Sequence, residues 1–276
     1  EPDWCFHEEC LVGLFESSIV NSKLRSGVTG VTSAASLSWD DFNYYSAERK
    51  MQQIDYEQHK HIANLFYAKY GRRDSQGQCG YGQNSNTRVI GGTAVIGMQD
   101  TVNVNDATQY AWYETVGSDG TITYTQLNNI NCLGYEDIYG SKYEMMDNVS
   151  VPNDTGNTYK WLITMPDGSQ RKVKAGSTSQ YISAVAHGKY MDVVPVGTTA
   201  GSATTHYCDY YYASASTGRV VYRSNYSTYA NGGVSYADAS YDSSSTSTSI
   251  GSRLAFRGIV VKAASVSAYK ALTEIA

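Results

Sequence analysis

The spacing of apolar and polar positions predicts two helices near the start of the chain. Ser38 precedes WDDFNYYSAERK, where acidic residues come first and basic residues last, as the helix dipole favours, so we expect a helix over residues 39–50. A second helix is predicted after Asp55, because Gln58 completes a capping box and Gly71 supplies a stop. Ile62, Leu65, Phe66 and Lys69/Tyr70 recur at helical spacing and form its apolar stripe.

In the rest of the chain, short apolar runs and alternation of apolar with polar residues predict strands. CLVGLFE (10–16) indicates a buried strand, and RLAFRGIVVKA (253–263) indicates a central strand. One hairpin is predicted from YAWYET and ITYTQL, and a second from TYKWLITMPDGSQRKVK, whose Pro-Asp-Gly is a turn signal. Two early helices followed by many short strands and long loops indicate an α+β fold.

The segment from Tyr207 to Ser249, here called the tyrosine tract, has an unusual composition. It contains nine tyrosines and eleven serines among 43 residues. Disorder is disfavoured, because so many aromatic rings are costly to leave in water. An aggregating repeat is a stronger alternative, but glycines and aspartates interrupt it. Tyrosine among small polar residues is also the composition of antibody loops, so the tract favours a contact surface.

We expect ligand-binding side chains within the tyrosine tract. Tyrosine rings supply apolar contact area with a hydroxyl, and asparagine, aspartate and serine add hydrogen bonds. The candidate ligand-binding residues are Tyr210, Tyr211, Tyr212, Tyr226, Tyr229, Asn231, Tyr236, Asp238, Tyr241, Ser245 and Ser247. Four arginines are instead predicted to tie loops to carbonyls or carboxylates, namely Arg219, Arg223, Arg253 and Arg257.

Charge and hydropathy exclude some partners. The chain has 276 residues and a formal net charge of -5, without a basic run, which argues against nucleic acid. No window approaches the ~18 apolar residues of a membrane span, so we expect no membrane insertion. The start, EPDWCFHEEC, has neither an initiator methionine nor a signal peptide, so we expect a fragment or a processed product.

Candidate chemistry is sparse, so neither a cofactor nor a metal is expected. His59 and His61 are two apart on a predicted helix, cannot chelate one metal together, and are interpreted as surface residues. Glu144 and Asp147 are three apart and are compatible with acid–base work, but hydrogen bonding to loop backbone is favoured. The five cysteines fit no zinc site, and common hydrolase and nucleotide motifs are absent.

Several segments together resemble one family. GYEDIYGSKYEMMDN (134–148) is similar to a stretch of the formylglycine-generating-enzyme-like branch of the C-type lectin fold. RDSQGQCGYG (73–82) and GSRLAFRG (251–258) resemble segments that accompany it in variable proteins of diversity-generating retroelements, especially those of gut Bacteroidales and their phages. HEECLVGLFE and the helix around HKHIANLFYAKYG are also similar to that group.

The resemblance implies a C-type lectin fold with two helices, short twisted antiparallel sheets, long loops and inserted hairpins. The ligand-binding domain would span residues 1–262, with insertions at about 103–130 and 150–205 and a variable segment at about 207–249; residues 263–276 would form a tail. Met145 and Tyr135 stand where the family pattern has tryptophan and leucine, so local packing is expected to differ.

The implied role is binding to a host-cell or surface receptor, protein or glycan, by an extracellular adhesin on a phage tail or a bacterial surface or pilus tip. A homo-oligomer is expected, a trimer in the phage case. An oxidase centred on Cys208 or on Glu144 and Asp147 is one alternative, but the family's catalytic cysteine pair is missing, so no enzyme is expected. The other alternative is a structural virion or pilus subunit whose tyrosine-rich face joins copies of the chain.

Overall fold

Three helices and twenty strands lie wholly within the residues that the computed structural model describes. Those residues are 10–82, 90, 100, 102–105, 110–127, 129–153, 156, 158–225, 230–258, 264–265 and 267–268. The helices are α1 (Trp39–Ala47), α2 (Tyr56–Tyr70) and α3 (Ser75–Cys79). The strands are β1 (Cys10–Val12), β2 (Ser18–Val20), β3 (Lys23–Arg25), β4 (Gln52–Gln53), β5 (Val102–Asn105), β6 (Tyr110–Val116), β7 (Ile122–Leu127), β8 (Asn131–Cys132), β9 (Tyr135–Glu136), β10 (Tyr143–Val151), β11 (Lys160–Thr164), β12 (Gln170–Lys174), β13 (Gln180–Tyr181), β14 (Ala184–Val185), β15 (Pro195–Gly197), β16 (Tyr210–Tyr212), β17 (Arg219–Arg223), β18 (Ala237–Asp238), β19 (Ile250–Gly251) and β20 (Leu254–Arg257).

Helix α1 begins where the sequence predicts and ends earlier. The Ser38 hydroxyl accepts a hydrogen bond from the Asp41 amide, and the Asp41 carboxylate accepts one from the Ser38 amide, which completes a capping box. The helix stops at Ala47 instead of residue 50. Lys50 has a positive φ of 52°, so the chain has already left the helical region there.

Helix α2 confirms the second predicted helix. Asp55 and Gln58 form the expected capping box, and Gly71 ends the helix with a φ of 61°. Ile62 and Phe66 are buried as predicted, whereas Leu65 is exposed.

The expectation of two helices is wrong, because α3 is a third helix within the described residues. This helix has only five residues, and the Asp74 carboxylate caps it by accepting a hydrogen bond from the Gly77 amide. Its glycine and glutamine content gave no periodic signal that would separate it from a loop.

The main sheet contains eight strands and carries most of the fold. Their order is β12-β11-β10-β17-β18-β16-β13, and β19 pairs with β10 outside this order. The pairings β10–β19 and β16–β18 are parallel, and the other pairings are antiparallel. The sheet curls into a half-barrel, so the chain has a mixed α+β fold. The predicted Pro-Asp-Gly hairpin is confirmed as β11 and β12 at one edge.

Two apolar clusters cover the two faces of the main sheet. The larger cluster contains Phe66 of α2 with Trp161 and Val221 of the sheet. The smaller one contains Phe42 of α1 and Tyr222. Val221 and Tyr222 are neighbours on β17 and belong to different clusters, because successive side chains on a strand point to opposite faces.

Smaller sheets complete the fold. Strand β20 is central between β1 and β4, as predicted from RLAFRGIVVKA; residues 259–263 of that segment lie outside the described residues. The other predicted hairpin is confirmed as β6 and β7, and β5 pairs with β6. None of the described helices has the length and apolar character that crossing a membrane requires.

Candidate functional site: a tyrosine face on the main sheet

Strand β16 divides three consecutive tyrosines between the two faces of the main sheet. The Tyr211 ring is 1% exposed and packs edge-on against Trp161, with ring centroids 6.0 Å apart. Tyr210 and Tyr212 lie on the opposite face, keep part of their surface exposed, and contact each other at 4.7 Å. Tyr211, which the sequence placed among the ligand-binding residues, therefore belongs to the core.

Asp238 lies in the middle of the same face as Tyr212. It pairs across the sheet with Tyr212 of β16 on one side and with Tyr222 of β17 on the other. Directly opposed residues share a face, so the carboxylate stands between two aromatic side chains. Its Oδ1 accepts hydrogen bonds from the Ser240 amide at 2.8 Å and the Ser240 hydroxyl at 2.6 Å.

Seven tyrosines on this side of the sheet are linked one to the next by ring contacts, and we call them the tyrosine face. They are Tyr143, Tyr181, Tyr210, Tyr212, Tyr222, Tyr236 and Tyr241. Stacking joins Tyr222 to Tyr241 at 5.2 Å and Tyr143 to Tyr236 at 5.9 Å. Tyr212 meets Tyr236 edge-on at 6.1 Å. These are the stacked and edge geometries that aromatic rings prefer, so the rings hold one another in place.

Exposure is uneven across the tyrosine face. Tyr241 is 37% exposed, and Tyr143 and Tyr212 are half-buried. Tyr222 and Tyr236 are buried beneath them. Tyr236, also expected to bind ligand, therefore supports the outer rings from below. The surface that a ligand can touch consists of the outer rings.

Burial sets the protonation states on this face. It raises the pKa of Asp238 to about 6, although the hydrogen bonds from Ser240 oppose the rise. Burial, together with the nearby charge of Asp238, also raises the pKa of Tyr222 and Tyr236, so both hydroxyls stay protonated at neutral pH. The Tyr222 hydroxyl is buried and has no hydrogen-bond partner among the described residues.

The remaining candidate residues lie in different places. Asn231 hydrogen bonds the Tyr212 side chain and so adjoins the tyrosine face. Ser245 and Ser247 lie in the following turn, where Ser245 donates to Asp242 at 3.1 Å and Ser247 shares a 2.8 Å hydrogen bond with the Ser249 hydroxyl. They do not join the ring cluster. The two other candidates, Tyr226 and Tyr229, lie outside the described residues.

Buried arginines support the main sheet, as the sequence predicts. Arg223 donates to the carbonyls of Val193 and Val234, both at 3.3 Å. Arg253 donates to the Glu144 carboxylate at 2.8 Å and to three backbone carbonyls. The other two arginines form ion pairs: Arg219 with Asp242, and Arg257 with Asp55. All four tie distant segments together, which confirms their structural interpretation.

The thiol of Cys208 has surroundings that disfavour reactivity. The residue is buried, and burial, with the nearby carboxylates of Asp74 and Asp209, raises its pKa to about 11. Nucleophilic and redox-active cysteines need the thiolate, which positive surroundings promote and apolar burial opposes. This geometry does not favour the oxidase alternative.

The carboxylates and histidines considered for chemistry are also held apart. Glu144 binds Arg253, whereas Asp147 lies beside Asp55, so the two carboxylates do not face a common space. The surface interpretation is wrong for His59, which is buried against Arg223 at 3.4 Å, and right for His61, which is exposed. Among the described residues, no group of three or more histidines, cysteines or acids is placed to hold a metal ion.

Three members of the tyrosine face were not predicted from the sequence. Tyr143 and Tyr181 lie outside the tyrosine tract, and Tyr222 lies within it among apolar residues. Only the long-range pairing of β10, β13 and β17 brings them to the face. The sequence carried a partial signal for Tyr222. Successive side chains on a strand point to opposite faces, so Tyr222 must lie on the face opposite that of its apolar neighbour Val221.

No protein-family model matches this chain, and no curated protein matches it either. The resemblance to retroelement variable proteins therefore rests on the quoted segments. Two of those segments adjoin in the fold, because β10 of GYEDIYGSKYEMMDN pairs with β19 of GSRLAFRG. Arg253 of the second segment also binds Glu144 of the first.

Proposed function

We propose that this chain is an extracellular receptor-binding adhesin that contacts its receptor through the tyrosine face. The observation that carries the proposal is a set of partly exposed tyrosine rings fixed in one cluster on a sheet. Tyrosine provides a large amphipathic contact area and loses little conformational entropy on binding, which explains its enrichment in binding surfaces. A face of this kind needs no catalytic group.

The support beneath the face favours binding. Tyr222 and Tyr236 are buried under the outer rings, and the buried guanidinium of Arg223 joins β17 to two neighbouring segments. A surface already ordered in the free protein loses less entropy when a partner binds. The affinity available from a few tyrosines is therefore larger on this scaffold than on a flexible loop.

The proposal extends to a C-type lectin fold and to diversification of residues 207–249 by a retroelement. The support is the contact between β10 and β19, which joins the segments that resemble that family. The part of the tract near the face carries tyrosine, asparagine, aspartate and serine, the residue types that adenine-directed copying errors produce. A phage tail and a bacterial surface or pilus tip are both compatible locations.

Cell binding tests the proposed function directly. Fluorescently labelled chain is applied to a panel of gut Bacteroidales strains, and bound protein is measured by flow cytometry. The double variant Tyr212→Ala/Tyr241→Ala should lose at least about tenfold in apparent affinity, because a few central aromatic residues dominate most interfaces. Tyr44→Ala is the matched control, since Tyr44 is a 63% exposed tyrosine on α1 outside the face. Equal binding by wild type and the double variant would refute the proposal.

Self-association distinguishes an adhesin from a structural subunit. In the adhesin, sedimentation gives the same oligomeric state for wild type and the double variant, because the face remains open to a receptor. If the double variant dissociates an oligomer that wild type forms, the face joins copies of the chain, and the structural alternative replaces the adhesin.

A further inference from the structure

Two cysteines that are distant in the sequence meet in the core. Cys79 is the last residue of α3, and Cys132 is the last residue of the short strand β8. Both are 0% exposed, both belong to the larger apolar cluster, and their thiols are hydrogen bonded to each other. The pair lies outside the tyrosine face, so its role is independent of the proposed function.

The backbone segments around the two thiols are in tight contact. Tyr81, just after α3, lies so close to Gly140 that a Cβ added to Gly140 would be 2.2 Å from the Tyr81 carbonyl oxygen. The neighbouring Tyr139 donates a hydrogen bond from its hydroxyl to the carbonyl of Ser75, the first residue of α3, at 2.7 Å. Helix α3 is therefore packed firmly against the segment that follows β8 and β9, which keeps the two thiols together.

The surroundings of the pair disfavour the other roles of paired thiols. Among the described residues, no third histidine, cysteine or acid joins the pair to hold a metal ion. A reactive cysteine needs its thiolate, but the hydrogen bond with Cys79 and burial raise the pKa of Cys132, and the Asp100 carboxylate acts in the same direction. A hydrogen bond between thiols is itself weak. Formation of a covalent bond between the two sulfurs is the chemistry that the contact favours.

We propose that Cys79 and Cys132 form a structural disulfide when the chain folds in the presence of a small-molecule disulfide such as oxidised glutathione. One cysteine thiolate attacks a sulfur of the small disulfide and displaces a thiolate. The second cysteine thiolate then attacks the mixed disulfide and displaces the other half. The two cysteines are oxidised, and the small disulfide is reduced to two thiols that take up the two protons.

Burial determines when this exchange occurs. Both thiols are inaccessible in the folded chain, so the small disulfide reaches them while the chain folds. Without such an oxidant both thiols stay free, as they are in this structure. Helix α3 has five residues and β8 has two, so the small shift that brings the sulfurs to bonding distance disturbs no long element.

The bridge would stabilise the fold in two ways. It closes a long loop that contains β5, β6 and β7, and closing such a loop lowers the entropy of the unfolded chain. It also anchors α3, where the Ser75 hydroxyl accepts a hydrogen bond from the Val234 amide at 3.1 Å. Val234 lies two residues before Tyr236, so α3 supports the segment that leads into the tyrosine face.

Peptide mapping of the refolded chain tests the bridge directly. The chain is reduced and unfolded in urea and then refolded in a buffer of reduced and oxidised glutathione. Remaining thiols are blocked in urea, and the chain is digested with trypsin without reductant; cleavage after Arg88 places Cys79 and Cys132 in different peptides. Mass spectrometry should find these two peptides linked, with two hydrogen atoms fewer than the reduced pair. No linked peptides, or a major link from either cysteine to Cys10 or Cys208, would overturn the inference.

Urea unfolding with and without dithiothreitol tests the structural role. The reductant should lower the urea midpoint of the oxidised wild type by about 1 M, because the cross-link is lost. Cys79→Ala/Cys132→Ala should show no such response, whereas the matched control Cys10→Ala/Cys208→Ala keeps the pair and should respond like wild type. If the first variant does not fold, the control and the peptide map decide the outcome. A wild-type midpoint that the reductant leaves unchanged would refute a stabilising bridge.

Discussion

Arg253 and Glu144 form a fully buried ion pair, with 2.8 Å between the guanidinium and the carboxylate and both side chains 0% exposed. The pair joins β10 to the segment that enters β20. Arg253 also donates to the backbone carbonyls of Gly13, Glu136 and Asp137, so one side chain ties three regions together. This arrangement stabilises the fold only while both charges are present, because either charge alone is costly to bury.

Arg253→Met should strongly destabilise the protein. Glu144 would be left buried without its cation, which costs about 3–5 kcal/mol in comparable pairs. The free energy of unfolding, measured by urea denaturation at pH 8, provides the test. Arg72→Met is the matched control, because Arg72 pairs with Asp74 at the same 2.8 Å on the surface. That change should cost about 1 kcal/mol or less. Similar losses in both variants would contradict the buried-pair interpretation.

Truncation of two adjacent tyrosines on β16 should lower the free energy of unfolding by very different amounts. Tyr211→Ala leaves a cavity beside Trp161 and should lower the free energy of unfolding by about 3–5 kcal/mol. Tyr212→Ala removes a half-buried ring and should lower it by about 1 kcal/mol. Thermal or urea unfolding of the two variants checks this difference. If Tyr212→Ala proved the more damaging, the assignment of the two faces would be wrong.

Asp238 should make stability depend on pH. Its pKa in the folded chain is about 6, above the ordinary 3.8, so the folded state holds the proton more tightly than the unfolded state. The protonated carboxyl therefore favours the folded state. Its full contribution to the free energy of unfolding is present below about pH 4 and is lost as the pH rises through about 6. Subtracting the pH profile of Asp238→Asn from that of wild type should isolate this change. A difference that is flat between about pH 4 and 7 would show that Asp238 titrates normally.

Cysteine alkylation should discriminate among the thiols. With iodoacetamide near neutral pH, we expect rapid labelling of the exposed Cys10 and slow labelling of the buried Cys79, Cys132 and Cys208. For Cys208, the rise in pKa from 9.0 to about 11 alone lowers the thiolate fraction about hundredfold. Peptide mass spectrometry measures the labelling rates, and in urea all the thiols should be labelled at similar rates. Rapid reaction of Cys208 in the folded chain would revive the oxidase alternative.

Short sequence motifs predicted the structural elements that neighbouring residues determine. The capping box of Asp55 and Gln58, the Pro-Asp-Gly hairpin and the structural role of Arg253 are all confirmed. Helix α3 has no apolar period and was therefore not predicted. His59 was misplaced because α2 also buries polar side chains, Gln58 and Lys60 among them, and the sequence gives no sign of what covers them.

The site was only partly predictable for a related physical reason. Composition indicated that the tyrosine tract forms a surface, but a ring is exposed or buried according to strand alternation and to strands from elsewhere in the chain. Tyr211 and Tyr212 have identical side chains and opposite positions. Tyr143 reaches the face from β10, through pairings that no local pattern encodes.

The alternation along β16 also limits how the tract can change in evolution. Exchanging Tyr210 or Tyr212 changes a partly exposed side chain on the tyrosine face, whereas exchanging Tyr211 removes a ring from the core. If mutation struck all three codons equally, the variants that replaced Tyr211 would be lost because their core would be destabilised. If the tract is diversified and binds a receptor as proposed, backbone geometry restricts its repertoire before the receptor selects among the variants.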